Sequence, residues 1–249
     1  MNRFQNKVVV ITGGTSGIGL ATAKAFAEEG AAVYITGRRQ DVLDAAVQAI
    51  GGNVTGVRGD TSNLADLDRL YDTVQQSNAQ IDVLFANAGG GDFASLGAIT
   101  EDHYLRIFDT NVKGVLFTVQ KALPILRDGA SIILTSSTTG TAGTANFSVY
   151  SASKAAVRNF ARSWILDLKE RGIRVNVISP GLTDTAGVDG LFGGGDRAAQ
   201  VKDVFIGNIP AGRIGQPHET AAGVLFLASE ESSYVNGIEL FVDGGMNQV

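Results

Sequence analysis

The sequence predicts an α/β fold with a doubly wound, seven-stranded parallel sheet and helices on both faces. Seven short apolar runs alternate with helical patterns along the 249 residues, which is the order that right-handed βαβ crossovers produce. The first run, at residues 7–12, is continuous and ends in two glycines, as expected of a strand buried on both faces. No linker or change in composition divides the chain, so one domain is expected over residues 1–249.

The first half of the chain contains four predicted strands, at residues 7–12, 32–36, 53–58 and 81–86. Between them, the apolar spacing predicts helices after Gly19, at 41–50 and at 64–76. The helix at 64–76 is typical, because Leu67, Leu70 and Val74 fall on one face.

The second half of the chain repeats the alternation of strands and helices. Strands are expected at residues 130–135, 173–179 and 237–242. Helices are predicted at 148–171 and 217–228, and one or two more over 103–126 around Asn111. A glycine-rich segment at 182–212 fits neither pattern. Long loops in compact domains are usually functional, so the sequence predicts a mobile substrate lid there.

Composition excludes several functions. The net charge of -5 and the absence of any large basic cluster argue against nucleic-acid binding. The chain has no cysteine, which excludes disulfides and thiolate chemistry. His103 and His218 lack ligand-spaced partners, so no metal is expected. The absence of a signal peptide or a long apolar run predicts a cytoplasmic protein without membrane contact.

The first strand leads into a turn with glycines at 13, 17 and 19. The spacing differs from G-x-G-x-x-G, but glycines before a helix let the backbone approach a pyrophosphate at the positive helix end. An ordinary strand-to-helix turn is the alternative interpretation. The position between the first strand and a helix favours dinucleotide binding.

The end of the second predicted strand indicates which dinucleotide binds. NAD sites usually place an acid there for the ribose 2′-hydroxyl, but this chain has Gly37, Arg38 and Arg39. A guanidinium can bind a 2′-phosphate with its planar fork. The pattern favours NADP(H) over NAD(H), although two solvated surface arginines are an alternative.

Tyr150 and Lys154 are four residues apart on a predicted helix and therefore share a face. A nearby ammonium is expected to lower the pKa of a phenol, which could then exchange a proton with a carbonyl oxygen. Tyrosine and lysine also occur at this spacing by chance, as a packed ring and a solvated amine.

Taken together, these motifs resemble the short-chain dehydrogenase/reductase family over essentially the whole chain. The matching stretches are TGGTSGIG (12–19), Asp60-Thr61, ANAG (86–89), Asn111, SS (136–137), YSASK (150–154), SPGLTDT (179–185) and GIELFVDGG (237–245). The joint order of these stretches is specific. The resemblance implies a Rossmann fold with strand order 3-2-1-4-5-6-7.

The resemblance also implies roles for individual residues. Tyr150 would be the general acid and base, assisted by Lys154, while Ser137 would bind the substrate oxygen and Asn111 would position a relay water. Asp60 would bind the adenine amino group. The implied cofactor-binding set is Gly13, Thr15, Ser16, Gly17, Ile18, Gly19, Gly37, Arg38, Arg39, Asp60, Thr61, Asn87, Ala88, Gly89, Tyr150, Lys154, Pro180, Gly181, Thr183 and Thr185.

The expected reaction interconverts a small-molecule ketone and a secondary alcohol. The expected substrate pocket is apolar or small, which favours a hydrophobic or aromatic ketone over a keto acid. Its members are Thr138, Ala145, Phe147, Leu182, Val188, Leu191, Phe192 and Phe205. These residues could equally be ordinary core. By resemblance, the protein would form a homotetramer, or a homodimer.

Three alternatives remain open. The first is a catalytically silent NADPH sensor or scaffold. The second is an NAD-dependent dehydrogenase of another substrate, such as a 3-oxoacyl group, a steroid or a sugar. The third is an enoyl reductase, which the short spacing between Tyr150 and Lys154 disfavours, because enoyl reductases of this superfamily place the two residues further apart.

Overall fold

Seven parallel strands form the central sheet of the computed structural model, which describes residues 2–77 and 80–248. They are β1 Val8–Ile11, β2 Ala32–Gly37, β3 Val54–Arg58, β4 Ile81–Ala86, β5 Leu126–Thr135, β6 Arg174–Pro180 and β7 Glu239–Val242. Their order is β3-β2-β1-β4-β5-β6-β7, which confirms the prediction. The order reverses between β1 and β4, and doubly wound sheets bind ligands at the carboxyl ends beside this switch point.

Nine α-helices accompany the sheet within the described ranges. They are α1 Gly17–Glu28, α2 Gln40–Ile50, α3 Leu64–Gln76, α4 Glu101–Phe108, α5 Gly114–Ala122, α6 Ser148–Asp167, α7 Ala186–Leu191, α8 Gly195–Ile206 and α9 Pro217–Ala228. No helix in this part of the chain is long and apolar enough to cross a membrane.

Two hydrophobic cores lie on opposite faces of the sheet. In β1, Val10 packs in the core that contains α3, α5 and α6, whereas Val9 and Ile11 pack in the core that contains α1, α2 and α9. Strand side chains alternate between the two faces, so a fully apolar strand fits between two helical layers. Phe26 of one core and Leu70 of the other are completely buried, which stabilises the fold by about 1.5–3 kcal/mol each.

The region predicted as one or two helices over 103–126 contains both α4 and α5, joined by a π turn at Asp109–Lys113. In this turn the Gly114 N–H bonds to the Asp109 carbonyl, five residues back. The predicted end at residue 126 is wrong, since Leu126 begins β5. The predicted helix 148–171 is also shorter, because α6 ends at Asp167 and a 3₁₀ turn precedes Gly172.

The segment at 182–212 is not an irregular loop, and that prediction is wrong. It contains α7 and α8. Helical glycines such as Gly187 and Gly190 each cost about 1 kcal/mol relative to alanine, which is why the sequence favoured a loop. The Thr185 hydroxyl offsets part of this cost by accepting the Val188 N–H at 3.2 Å as an N-cap.

Candidate active site

Ser137, Tyr150 and Lys154 meet at the carboxyl end of β5. Ser137 follows the strand, and the other two residues lie on the first turns of α6. The Tyr150 hydroxyl lies close enough to the Ser137 hydroxyl for Ser137 to favour the ionised phenol. Lys154 Nζ donates to the Thr135 carbonyl at 2.9 Å and lies 5.5 Å from the centre of the Tyr150 ring. The arrangement offers a carbonyl oxygen two neighbouring hydroxyl groups.

The electrostatics of this group differ from the expectation. Burial raises the pKa of the Tyr150 phenol above its ordinary value, and the nearby Ser137 hydroxyl only opposes this effect. Burial also lowers the pKa of Lys154, which is 2% exposed, to about 8. The expected lowering of the Tyr150 pKa is therefore not the net result in this arrangement, because desolvation of the phenol is the largest influence.

The two adjacent serines, Ser136 and Ser137, have different environments in the structure. Ser136 is buried, and its hydroxyl donates to the Lys154 carbonyl at 2.9 Å, which attaches the end of β5 to α6. Ser137 faces Tyr150, and its Oγ accepts a hydrogen bond from the Thr139 N–H at 3.3 Å. The geometry therefore favours Ser137 as the substrate-facing serine.

Asn111 is completely buried in the π turn and holds the loop that follows β4. Its Nδ2 donates to the Gly90 carbonyl at 2.9 Å and to Ser153 Oγ at 3.0 Å, while its Oδ1 accepts the Gly90 N–H at 3.0 Å. Next to this loop, a Cβ atom at Gly89 would lie 3.2 Å from Lys154 Nζ. Asn111 thus connects the loop to α6, and its role in a proton relay stays a prediction.

The glycine turn before α1 has the shape that a pyrophosphate needs. Gly13 and Gly17 have φ angles of 67° and 51°, a region that glycine adopts readily. A Cβ atom at Gly19 would lie 2.1 Å from the Gly13 carbonyl oxygen. The N-cap of α1, Ser16, makes no side-chain capping bond. The helix start therefore suits an anion, and the neighbouring Ile18 packs on the core.

The end of β2 fits the expected phosphate-binding site. A Cβ atom at Gly37 would lie 2.3 Å from Thr15 Cγ2, so these two residues are in close contact. Arg38 and Arg39 are exposed, and their side chains form no ion pair or hydrogen bond within residues 2–77 and 80–248. Thr36 is buried, and its hydroxyl accepts the Gly13 N–H at 3.2 Å, which makes it part of the turn.

Asn87 connects the ends of three strands. Its Nδ2 donates to the Thr12 and Gly13 carbonyls at 3.1 and 3.2 Å, and its Oδ1 accepts a bond from the Thr135 hydroxyl at 3.3 Å. The N–H groups of Asn87 and Ala88 both donate to Thr12 Oγ1 at 3.1 Å. This network holds the glycine turn against β4 and β5, as expected of a residue that steadies the sheet beside a cofactor.

Several of the remaining predicted cofactor residues already have contacts within the protein. Asp60 Oδ1 accepts the N–H and the hydroxyl of Ser62 at 2.9 and 2.7 Å. Thr61 is buried beside α5. Thr183 is buried, and its hydroxyl donates to the Gly181 carbonyl at 3.1 Å, just after Pro180, the last residue of β6.

Thr185 lies between the glycine turn and α7. Its methyl group would be 3.0 Å from a Cβ atom at Gly17, while its hydroxyl caps α7. Two carboxylates near it, Asp184 and Asp189, form ion pairs with Lys202 Nζ of α8 at 2.6 and 2.5 Å. These ion pairs join α7 and α8 to the segment after β6.

A row of aromatic rings runs from Tyr150 to α8. The centroid distances are 4.4 Å from Tyr150 to Phe147, 4.4 Å from Phe147 to Phe93, 6.4 Å from Phe93 to Phe192 and 5.6 Å from Phe192 to Phe205. Phe147 is 6% exposed, so it supports Tyr150 more than it lines an open pocket.

Phe93 is a member of this row that the sequence did not indicate. It lies in a loop, far from 147 and 192 in the chain, and no motif or spacing marks it. The other predicted pocket residues are distributed around the row. Thr138 is buried and Ala145 is exposed, while the half-buried ones are Leu182, Val188 and Leu191.

Comparison with known proteins agrees with this geometry. A family model described as enoyl-(acyl carrier protein) reductase matches residues 13–247. Oxidoreductase asL5 of Sarocladium schorii is 47% identical over 100% of this chain and 99% of its own length. The NADP-dependent (R)-specific alcohol dehydrogenase of Lentilactobacillus kefiri is 38% identical over 98% of both chains. Levodione reductase, a solved structure, has a TM-score of 0.95 and 31% identity, over 99% of this chain and 100% of its own.

The chain belongs to the short-chain dehydrogenase/reductase family. Members of the family use a nicotinamide cofactor, and the glycine turn and the open helix N-terminus at α1 fit such a group. The protein is therefore an oxidoreductase, and its relatives include enzymes that act on alcohols and ketones.

Proposed function

We propose that the protein is an NADP(H)-dependent enzyme that interconverts a ketone and a secondary alcohol. The strongest support is the contact between the Tyr150 and Ser137 hydroxyls beside the glycine turn. In ketone reduction, Tyr150 donates a proton to the carbonyl oxygen while Ser137 stabilises the charge that develops there. The bound nicotinamide supplies the hydride. Lys154 and the loop held by Asn111 orient the cofactor.

The preference for NADP(H) rests on Arg38 and Arg39, both exposed and without an ion partner in the described part of the chain. A relative that is named as NADP-dependent supports it. A charged hydrogen bond contributes about 1.5–3 kcal/mol, so Arg38→Leu should weaken NADPH binding about 10- to 150-fold. Calorimetric Kd values for NADPH and NADH measure the change, and unaltered discrimination would contradict the assignment.

The substrate is proposed to be a hydrophobic or aromatic ketone, because the aromatic row begins at Tyr150 and its member Phe93 is exposed. The segment at 182–212 is proposed to act as a mobile lid whose helices close over this row. We also propose a cytoplasmic homotetramer, with a homodimer as the alternative.

Turnover separates this function from its alternatives. NADPH consumption is measured against ketones graded by bulk and charge, with Tyr150→Phe as the control. We expect the fastest turnover with an aryl ketone and a loss of activity in the variant. NADPH binding without turnover would favour a sensor or scaffold, and faster turnover of a charged keto acid would contradict the proposed substrate class.

An NAD-dependent dehydrogenase of a 3-oxoacyl group, a steroid or a sugar stays the second alternative. It predicts a lower Kd for NADH than for NADPH, and faster turnover of those substrates than of simple ketones. Although the matching family model is described as an enoyl reductase, Tyr150 and Lys154 are one helical turn apart on α6. This spacing is shorter than in enoyl reductases of the superfamily and favours carbonyl reduction.

A further inference from the structure

Resting on the proposed function, we propose that Phe93 is a specificity-determining residue of the substrate site. Its ring, in the loop after β4, packs on Phe147, which contacts Tyr150, and lies beside Phe192. The exposed ring is an aromatic platform that favours a ketone whose carbonyl carries a flat, conjugated group.

The spacing along the aromatic row locates the platform. Tyr150, Phe147 and Phe93 follow one another at 4.4 Å, so these three rings are in direct contact. The step from Phe93 to Phe192 is 6.4 Å, the widest of the row, and the two rings are within 18° of parallel. Near-parallel rings at this centroid distance form an ordinary offset contact, so Phe192 supports Phe93 from the side. The exposed part of the Phe93 ring is therefore the surface left for a flat substrate group.

Exposure is consistent with a binding role for Phe93. The ring is 40% exposed, whereas its neighbours Phe147 and Phe192 are 6% and 8% exposed. An aromatic ring that is packed on one side and open on the other can gain a further stacking partner.

The loop that carries Phe93 is fixed on both sides of the ring. Before it, His103 of α4 is buried with Nε2 3.3 Å from the Asp92 carbonyl. The carbonyl can only accept, so Nε2 carries the proton. His103 Nδ1 has no hydrogen-bond partner in the described part of the chain, which leaves Nε2 as the attachment. After the ring, the Ala94 N–H donates to the Asn146 carbonyl at 2.8 Å, next to Phe147.

These contacts make His103 a positioning residue for Phe93. It lies in α4, and its ring is hydrogen-bonded to the loop at the backbone carbonyl of Asp92. Glutamine can present an N–H close to the position of Nε2, whereas leucine cannot. The two replacements therefore separate the hydrogen bond from the volume of the side chain.

The test compares phenyl methyl ketone with cyclohexyl methyl ketone, which have similar bulk but differ in flatness. For the wild-type enzyme with NADPH, we expect a higher kcat/KM for the phenyl ketone. Phe93→Leu should reduce this preference about fivefold, the equivalent of one aromatic stack, without changing the Kd of NADPH. Phe160→Leu, which removes a ring stacked on Trp164 of α6, is the matched control. His103→Leu should act like Phe93→Leu, and His103→Gln should restore the preference.

A second measurement separates the platform from the proposed reaction. The same ketones are titrated by calorimetry into the NADPH-saturated Tyr150→Phe variant, with and without Phe93→Leu. A phenyl preference in binding that depends on Phe93 supports the platform even if the wild-type enzyme reduces neither ketone, a result that would overturn the proposed function alone. Equal binding of both ketones, or an equal loss of both in Phe93→Leu, overturns the platform and leaves the proposed function intact.

Discussion

Replacing Lys154 with methionine removes a buried ammonium group. The free energy by which this group destabilises the folded state can be calculated from its pKa. Burial lowers that pKa from 10.5 to about 8. Because the folded state resists protonation of this lysine, folding loses free energy as the pH falls from 10.5 to 8. Each pKa unit corresponds to about 1.4 kcal/mol, so the cost reaches about 3 kcal/mol below pH 8.

Denaturant unfolding at a series of pH values between 7 and 10.5 measures this cost. Relative to Lys154→Met, the wild-type free energy of unfolding should be constant below pH 8 and rise by about 3 kcal/mol up to pH 10.5. The absolute difference between the two proteins also contains the lost bond to the Thr135 carbonyl, but that contribution does not produce this pH dependence. Lys169→Met, at an exposed position, is the control. Parallel curves for the wild type and Lys154→Met would refute the reasoning.

Two further substitutions test the site and the lid. Gly91→Ala places a methyl group 2.6 Å from Cδ2 of Tyr150, and a displacement near 1 Å in a catalytic group reduces kcat/KM about 100-fold. Gly90→Ala meets no atom within 4 Å and should retain wild-type kcat/KM, so equal losses in both variants would contradict the argument. Lys202→Met removes the ion pairs with the two lid carboxylates. Partly exposed pairs contribute up to about 1 kcal/mol, so the KM of the ketone should rise up to about fivefold, while Arg197→Met on the same helix should not change it. A wild-type KM in Lys202→Met would show that these pairs do not hold the lid.

The predictable features are those that depend on neighbouring residues. The glycine turn after β1 needs glycines at positive φ, and a strand and a helix flank it in the sequence itself. Tyr150 and Lys154 share a helix face because they are four residues apart. The strand order followed from family resemblance, and the structure confirms it.

The features that sequence reasoning missed depend on distant contacts. Phe93, Phe147 and Phe192 form one row only because three separate loops and helices meet at the end of the sheet. Helix α7 contains glycines whose local propensity opposes a helix, whereas the Thr185 cap favours one.

The electrostatic prediction failed for a related reason. Residue spacing indicates that Lys154 is close to Tyr150, but it does not give the depth of burial of either side chain. In the fold, desolvation is the largest influence on the pKa values of both residues, and the ammonium already has a partner in the Thr135 carbonyl. Proximity alone was therefore an insufficient basis for the direction of the Tyr150 shift.

The position of β7 has a consequence for synthesis on the ribosome. β6 pairs with β7, and α7, α8 and α9 all lie between them in the sequence. Translation of the roughly 60 intervening residues takes about 3–12 s at 5–20 residues per second. During that time the nascent chain carries an open edge on β6, which other nascent chains could extend. The four residues Glu239–Val242 therefore protect the newly made protein from aggregation as soon as they leave the exit tunnel.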